Sequence, residues 1–217
     1  MSKKTKVEVI CPYCQKKMMI AKWDSINVDL NPEEKERIFN GKFFDFNCEY
    51  CNKVIHGFYS CLYHDMTHHL MMYLVGGEQE AKEAISMFND ICCLHGKIYE
   101  DYQVRITTDS DVWREKATIF DSGYDDRVIE IIKLLYAVEI EDKYDNIRIE
   151  RTFFCPSKSG KEFVLEFHCQ DNNAFTIDVS DELYETVEEK YMRKIQKGKS
   201  ETFFVNGDWA WNIIRAN

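Results

Sequence analysis

Apolar and polar residues alternate from Lys6 to Ile10 and again from Met18 to Trp23, so each stretch predicts a strand with one buried face. Cys11-Pro12-Tyr13-Cys14 lies between them as the turn of an antiparallel hairpin. A helix signal follows: Asn31 can cap, Pro32 suits the first helical position, Glu33 and Glu34 favour the positive end, and Gly41 can terminate it. Phe43 to Asn47 and Lys53 to Tyr59 then predict a second hairpin around Cys48-Glu49-Tyr50-Cys51. The apolar run Leu70 to Val75 reads as another strand, closed by Gly76-Gly77, and Cys61 to His69 reads as the turn leading into it.

Helical spacing returns at 78–91 and at 110–121, the latter with Asp109 as its cap, and Tyr102 to Thr107 alternates as a strand between them. Residues 125–140 carry two apolar faces, Val128, Ile131, Ile132 and Leu135 on one and Ile129, Tyr136 and Ile140 on another, which predicts burial from more than one side. After a break at Asp142 to Asn146 the period changes to two. Ile147/Ile149, Phe163/Leu165/Phe167 and Phe175/Ile177/Val179 predict a three-stranded sheet. A helix over 181–197 follows, with Leu183, Val187, Tyr191 and Ile195 as its inner row, and then a short aromatic tail with Trp209 and Trp211. We place a domain boundary near Asp145, giving domains 1–145 and 146–217. No internal repeat stands out.

Composition narrows the class. With 45% apolar and 14% aromatic residues the chain can fill a core, and no window approaches the roughly 18 apolar residues of a membrane helix. The start, MSKKTKVEVI, runs from lysines straight into a strand, so a soluble cytoplasmic protein without membrane contact is expected. A formal charge of −10 repels phosphates and argues against broad capture of nucleic acid. Locally the balance reverses: Lys3, Lys4, Lys6, Lys16, Lys17 and Lys22 face only Glu8 in the first 22 residues, as a solvated face or a basic patch.

Nine cysteines, an odd number, suit metal binding and buried thiols better than disulfides in a reducing compartment. Two C-x-x-C pairs, Cys11/Cys14 and Cys48/Cys51, supply four thiolates, and each tight knuckle aims both sulfurs at one point. Zinc favours such a tetrahedral sulfur shell, which is structural because no coordination position stays open. One structural Zn2+ per chain is expected, with iron as the minor alternative. The fold class is therefore α+β: an N-terminal zinc ribbon with β-hairpins, a helical middle, and a small C-terminal antiparallel sheet with helices.

Rival chemistries are weaker. Cys11-Pro12-Tyr13-Cys14 alone could serve a dithiol oxidoreductase, but Pro12, Pro32 and Pro156 are the only prolines and none precedes Gly76-Gly77, where a thioredoxin-like fold needs one. His64, Asp65 and His68 could seed a metal-dependent hydrolase if helical, although hydrogen-bonded histidines beside a turn are the ordinary reading. Cys92, Cys93 and His95 read as packing at a helix end, as do Cys61, Cys155 and Cys169. Gly198-Lys199-Ser200 imitates a phosphate loop, but Arg193 holds its leading glycine position.

Cys11-Pro12-Tyr13-Cys14, Ser25-Ile26-Asn27, the Phe43-Phe44-Asp45-Phe46 run, Tyr63-His64-Asp65-Met66, Arg114-Glu115-Lys116 and Asp125-Asp126-Arg127 together resemble the CpXC-domain family of bacteria and archaea over about residues 6–140. The second knuckle departs from that family in lacking proline, which only stiffens the turn. The resemblance implies the ribbon and the Tyr63–Met66 turn as shared architecture, and implies no substrate.

No nucleophile, base and oxyanion set assembles from these residues, so the expected function is a zinc-stabilised interaction or regulatory module that is not catalytic. Its C-terminal part would contact a protein partner, with Trp209 and Trp211 as candidate anchors, although their helical spacing favours core packing. The second reading is nucleic-acid contact through Lys3, Lys4, Lys16 and Lys17, with Tyr13 or Tyr50 for stacking. The third is the hydrolase of His64, Asp65 and His68.

Overall fold

The structure, a computed structural model, describes residues 2–99, 101–157, 162–197 and 203–216, and the side chains of these except 91–99 and 197. It is α+β, as expected, and forms two compact units, Met1–Arg114 and Glu115–Asn217.

In the first unit β1 (Lys3–Ile10) turns through the first cysteine pair into β2 (Lys17–Asn27), and the two run antiparallel with Val7 opposite Ile20 and Val9 opposite Met18. Alternation sends these four to one face. Lys4, Lys6, Glu8, Ile10, Lys17, Met19, Ala21 and Trp23 occupy the other. The helix α1 (Pro32–Phe39) starts at its proline as expected, but Asn31 does not cap it: the side-chain amide donates instead to Asn27 O and Ser2 Oγ. Its end follows the glycine. The Gly41 N–H donates to Ile38 O and the Lys42 N–H to Arg37 O, with Gly41 at φ 73°, a conformation that costs any residue with a Cβ.

A separate two-stranded ribbon of β3 (Asp45–Asn47) and β4 (Val54–His56) carries the second cysteine pair at its turn. Next come β5 (Cys61–Asp65) and β6 (Leu70–Leu74), paired antiparallel. The sequence hides β5, because its alternating inward positions are Cys61, Tyr63 and Asp65, and a buried aspartate breaks the apolar pattern. From β6 the chain passes through α2 (Glu78–Tyr99) to β7 (Gln103–Thr107), and then α3 (Ser110–Asp121) opens on Asp109, whose Oδ1 accepts the Asp111 and Val112 N–H groups. The sheet order is β1-β2-β5-β6-β7, with β2/β5 and β6/β7 parallel. Parallel neighbours need long crossovers, which α2 supplies between β6 and β7. Tyr63, Leu70, Met72, Phe88 and Trp113 fill the interior. The Trp113 ring lies 5.7 Å from each of Phe43, Phe44 and Tyr63, and its indole N–H donates to Met72 O.

The second unit begins within α3. Its long helix α4 (Asp126–Lys143) is capped by Asp125, which accepts the Arg127 N–H. It packs against β8 (Ile149–Pro156) and the later helices, because Val128, Ile129, Ile131 and Ile132 are all buried around its circumference. Leu135, expected among them, is instead 37% exposed. The strands β9 (Glu162–Cys169) and β10 (Ala174–Ser180) complete an antiparallel sheet of order β10-β9-β8. Two helices follow, α5 (Asp181–Lys197) and α6 (Gly207–Arg215), the second capped by Asn206. The inner row of α5 is Tyr184, Val187, Tyr191 and Ile195, so Tyr184 takes the place expected of Leu183.

The compact units part at Arg114/Glu115, whereas the sequence places its boundary near Asp145. The difference is α4, whose apolar faces are buried with the C-terminal strands and helices. Among the described residues no helix is long and apolar enough to cross a membrane.

Candidate metal centre

Both cysteine pairs sit in the same kind of turn. The Cys11 N–H donates to Lys16 O at 3.0 Å and the Gln15 N–H to Cys11 O at 2.9 Å; the Cys48 N–H donates to Lys53 O at 3.0 Å and the Asn52 N–H to Cys48 O at 2.9 Å. Gln15 and Asn52 both adopt positive φ, 59° and 55°. Beneath this lies a short repeat, Cys-x-Tyr-Cys-(Gln/Asn)-Lys, at 11–16 and 48–53. It escapes a search for long repeats because it is a single turn in length. The two copies also exchange side chains: Lys16 Nζ lies 4.7 Å from the Tyr50 ring centre, and Lys53 Nζ lies 4.6 Å from that of Tyr13.

The hairpins bring the four sulfurs together. All lie within 4.8 Å of one another, with Cys11 to Cys51 at 3.8 Å and Cys14 to Cys48 at 3.6 Å. A tetrahedral shell with metal–sulfur bonds of about 2.3 Å has edges of about 3.8 Å, so the spacing fits a single ion. Cys11 and Cys48 are buried and pack with Met18, Ile20 and Ile55, while Cys14 and Cys51 are half-buried. This is the only such cluster among the described residues.

Electrostatics separates the thiols. Burial opposes charge on Cys11, but the Cys14 and Tyr13 amides and neighbouring thiols outweigh it and hold the group at about 6. Cys14 receives the Lys16 amide, yet burial and the three other thiols push it up to about 11. Cys51 receives the Lys53 amide and is likewise raised by burial and by Cys48 and Cys11. One thiolate therefore forms readily and then resists the next, a conflict that a cation at the centre removes.

The histidine group is divided by the strand. His64 projects to one side of β5, where its Nδ1 lies 3.3 Å from the Asn27 side-chain nitrogen and its Nε2 lies 3.1 Å from the Tyr102 hydroxyl. Asp65 projects to the other side, 1% exposed, and accepts hydrogen bonds from Tyr63 Oη, the His68 N–H and His68 Nδ1. Burial works against its charge, but the His68 hydrogen bonds and Lys35 at 3.6 Å prevail and hold its carboxyl below the usual range. His64, Asp65 and His68 thus share no ligand point. The side chains of Cys92, Cys93 and His95, and the segment Gly198-Lys199-Ser200, lie outside the described residues.

The model of the family described as CpXC protein matches residues 9–133, more than half of the chain. The chain belongs to the CpXC family. No curated protein and no solved structure matches it. The CpXC match opens just before Cys11 and closes inside α4, so it takes in both cysteine knuckles, the five-stranded sheet except most of β1, and the α3 and α4 residues quoted above. Sequence reasoning found the four cysteines by spacing; it missed Lys53 as the counterpart of Lys16, a signal present in the short repeat.

Proposed function

We propose that Cys11, Cys14, Cys48 and Cys51 bind one structural zinc ion, and that the CpXC domain is a zinc-stabilised, non-catalytic interaction module. The observation that carries this reading is the convergence of four sulfurs within 4.8 Å at the junction of two hairpins. Four thiolates fill a tetrahedral shell and leave no position for a substrate, so the ion serves the fold. Free thiolates persist in a reducing compartment, which favours the cytoplasm.

A protein partner is the second part of the reading, and one feature of the C-terminal unit supports it. A groove of about 770 Å³ there is lined by Leu135, Val138, Leu183, Trp211 and Ile214, with Glu139 and Asp142 among its lining. Leu135, Val138 and Trp211 are each more than a third exposed, the amount of apolar surface that an amphipathic helix of a partner can cover.

Metal analysis of the purified chain tests the centre. One zinc per chain is expected in the parent, and less than about a tenth of that in Cys48→Ser, since three thiolates bind far more weakly. A parent chain free of metal after expression in zinc-replete medium, with Cys11 and Cys14 joined in a disulfide, overturns the reading.

A further inference from the structure

Three lysine–aromatic pairs lie along the β1/β2 hairpin, one on its outer face near the end away from the turn and two at the knuckles. Lys4 Nζ lies 4.4 Å from the Trp23 ring centre, and the crossed pairs Lys16/Tyr50 and Lys53/Tyr13 follow at the knuckles. Tyr13 and Tyr50 are 53% and 52% exposed, although aromatic rings of this size gain most from burial. Lys6 lies on the same face of the hairpin as Lys4 and Trp23. Other lysines nearby have carboxylate partners: Lys17 pairs with Glu8 at 2.8 Å, and Lys3 and Lys22 share Asp24. Among the described residues no carboxylate pairs with Lys4, Lys6, Lys16 or Lys53. In a chain of net charge −10 these four cations stand out as a local reversal of the field.

We propose that this face is a binding surface for single-stranded nucleic acid. The ligand chemistry follows from what the face presents in alternation, flat π surfaces and ammonium groups that rest on rings rather than on carboxylates. A single strand offers the matching alternation of bases and phosphates, and its unstacked bases are free to lie on aromatic rings. A duplex keeps its base faces internal, and an acidic polypeptide supplies charge without a ring to stack. The ammonium groups now resting on Tyr13 and Tyr50 can turn to phosphates while the rings take bases. The two-fold likeness of the knuckles sets two equivalent tyrosine–lysine stations side by side, suited to successive nucleotides of any sequence. The surface rests on the metal-clamped ribbon of the preceding section, because the clamp holds the two knuckles together.

Fluorescence anisotropy of a labelled 20-nucleotide single strand, titrated with the full zinc-loaded chain, tests the proposal. Four phosphate contacts give an affinity loss of about 50-fold between about 50 and 200 mM salt, and Lys16→Gln/Lys53→Gln should reduce that loss to about 7-fold. Tyr13→Ala/Tyr50→Ala should weaken binding by at least about 5-fold per ring while leaving most of the salt dependence in place. Zinc content and thermal unfolding of each variant establish that the ribbon is intact. No anisotropy change at the lower salt overturns the proposal, as does binding that both double variants leave unaltered. Competition by polyglutamate equal to that by unlabelled strand also overturns it and assigns the face to acidic polypeptides. A parent that holds one zinc and does not bind defeats this proposal alone, whereas a parent without zinc defeats the reading beneath it.

Discussion

The ribbon and the C-terminal unit both rest on short antiparallel strands, yet they are held together by different means. Around the knuckles the buried cluster is Cys11, Met18, Ile20, Cys48 and Ile55, so its few apolar residues surround the sulfurs themselves. In the C-terminal unit Phe154, Phe163, Leu165 and Phe167 meet Val128, Ile129, Ile131 and Ile132 across a sheet–helix interface, joined by Tyr184, Val187 and Tyr191. The β3/β4 hairpin forms a sheet of its own and the β1/β2 hairpin joins the larger sheet only at Ser25, Ile26 and Asn27, so the cysteine ends of both bury little apolar area, and the proposed metal would supply the missing free energy. The larger core needs no such clamp. It even carries charges inside: Lys116 and Asp126, 2% and 0% exposed, meet at 2.8 Å, and Lys133 bridges Glu115 at 2.5 Å and Glu130 at 3.0 Å. Burial disfavours Lys133's charge, but Glu115 and Glu130 reverse the balance and raise it well above the usual lysine value.

Removing the proposed zinc should separate the two regions most sharply. Structural zinc in small domains contributes on the order of 10 kcal/mol, so a strong chelator should abolish hydrogen-exchange protection in Lys3–Ile10, in 17–23 and in 45–56 while Glu162–Cys169 keeps its own. Equal loss in both regions breaks the comparison. The converse experiment targets the internal charges. Lys116→Met removes the ammonium partner of a fully buried aspartate and should destabilise the C-terminal unit by roughly 3–5 kcal/mol in denaturant melts, with zinc content unchanged, and Lys116→Met/Asp126→Leu should recover much of it.

Acid should act on the first unit through Asp65. Its carboxyl is lower in the folded chain than in the unfolded one, so its contribution is complete above the unfolded value near 4 and is lost as pH falls through the folded value. Asp65→Asn should cost about 1.5–3 kcal/mol at neutral pH and flatten the acid limb of that unit's stability curve. An unaltered acid limb shows that the His68 hydrogen bonds hold no stability. The smallest effect belongs to Gly41→Ala, which forces a Cβ into φ 73° at the end of α1. A loss of about 1 kcal/mol is expected there, measured by thermal melting of the zinc-loaded chain.

The legible parts of the fold are those whose signal is local. Cys-x-x-C twice, flanked by alternating strands, declared two knuckles, and Pro32 and Gly41 marked both ends of α1 because each acts through its own backbone geometry. Phe163, Leu165 and Phe167 announced β9 through simple alternation, and all are fully buried. What failed was non-local. Asn31 has the chemistry of a cap, but Ser2 and Asn27 compete for its amide. Asp65 concealed β5, since its buried carboxylate is satisfied by Tyr63 and by a turn formed after the strand ends.

Residue spacing by itself determined that four thiols come in two pairs, that each pair lies in a tight turn, and the types of the helices and strands other than β5 and α6. Only the tertiary structure decided the distances at which the expected pairs converge, that β2 and β6 take parallel neighbours, that α4 belongs to the C-terminal core, and that Lys16 and Lys53 cross to each other's tyrosine. The reason is one of range. Turns and amphipathic faces depend on neighbours a few residues away, whereas strand order and the meeting of distant side chains depend on chain closure, whose outcome is settled by the sum of many weak contacts that no single stretch contains.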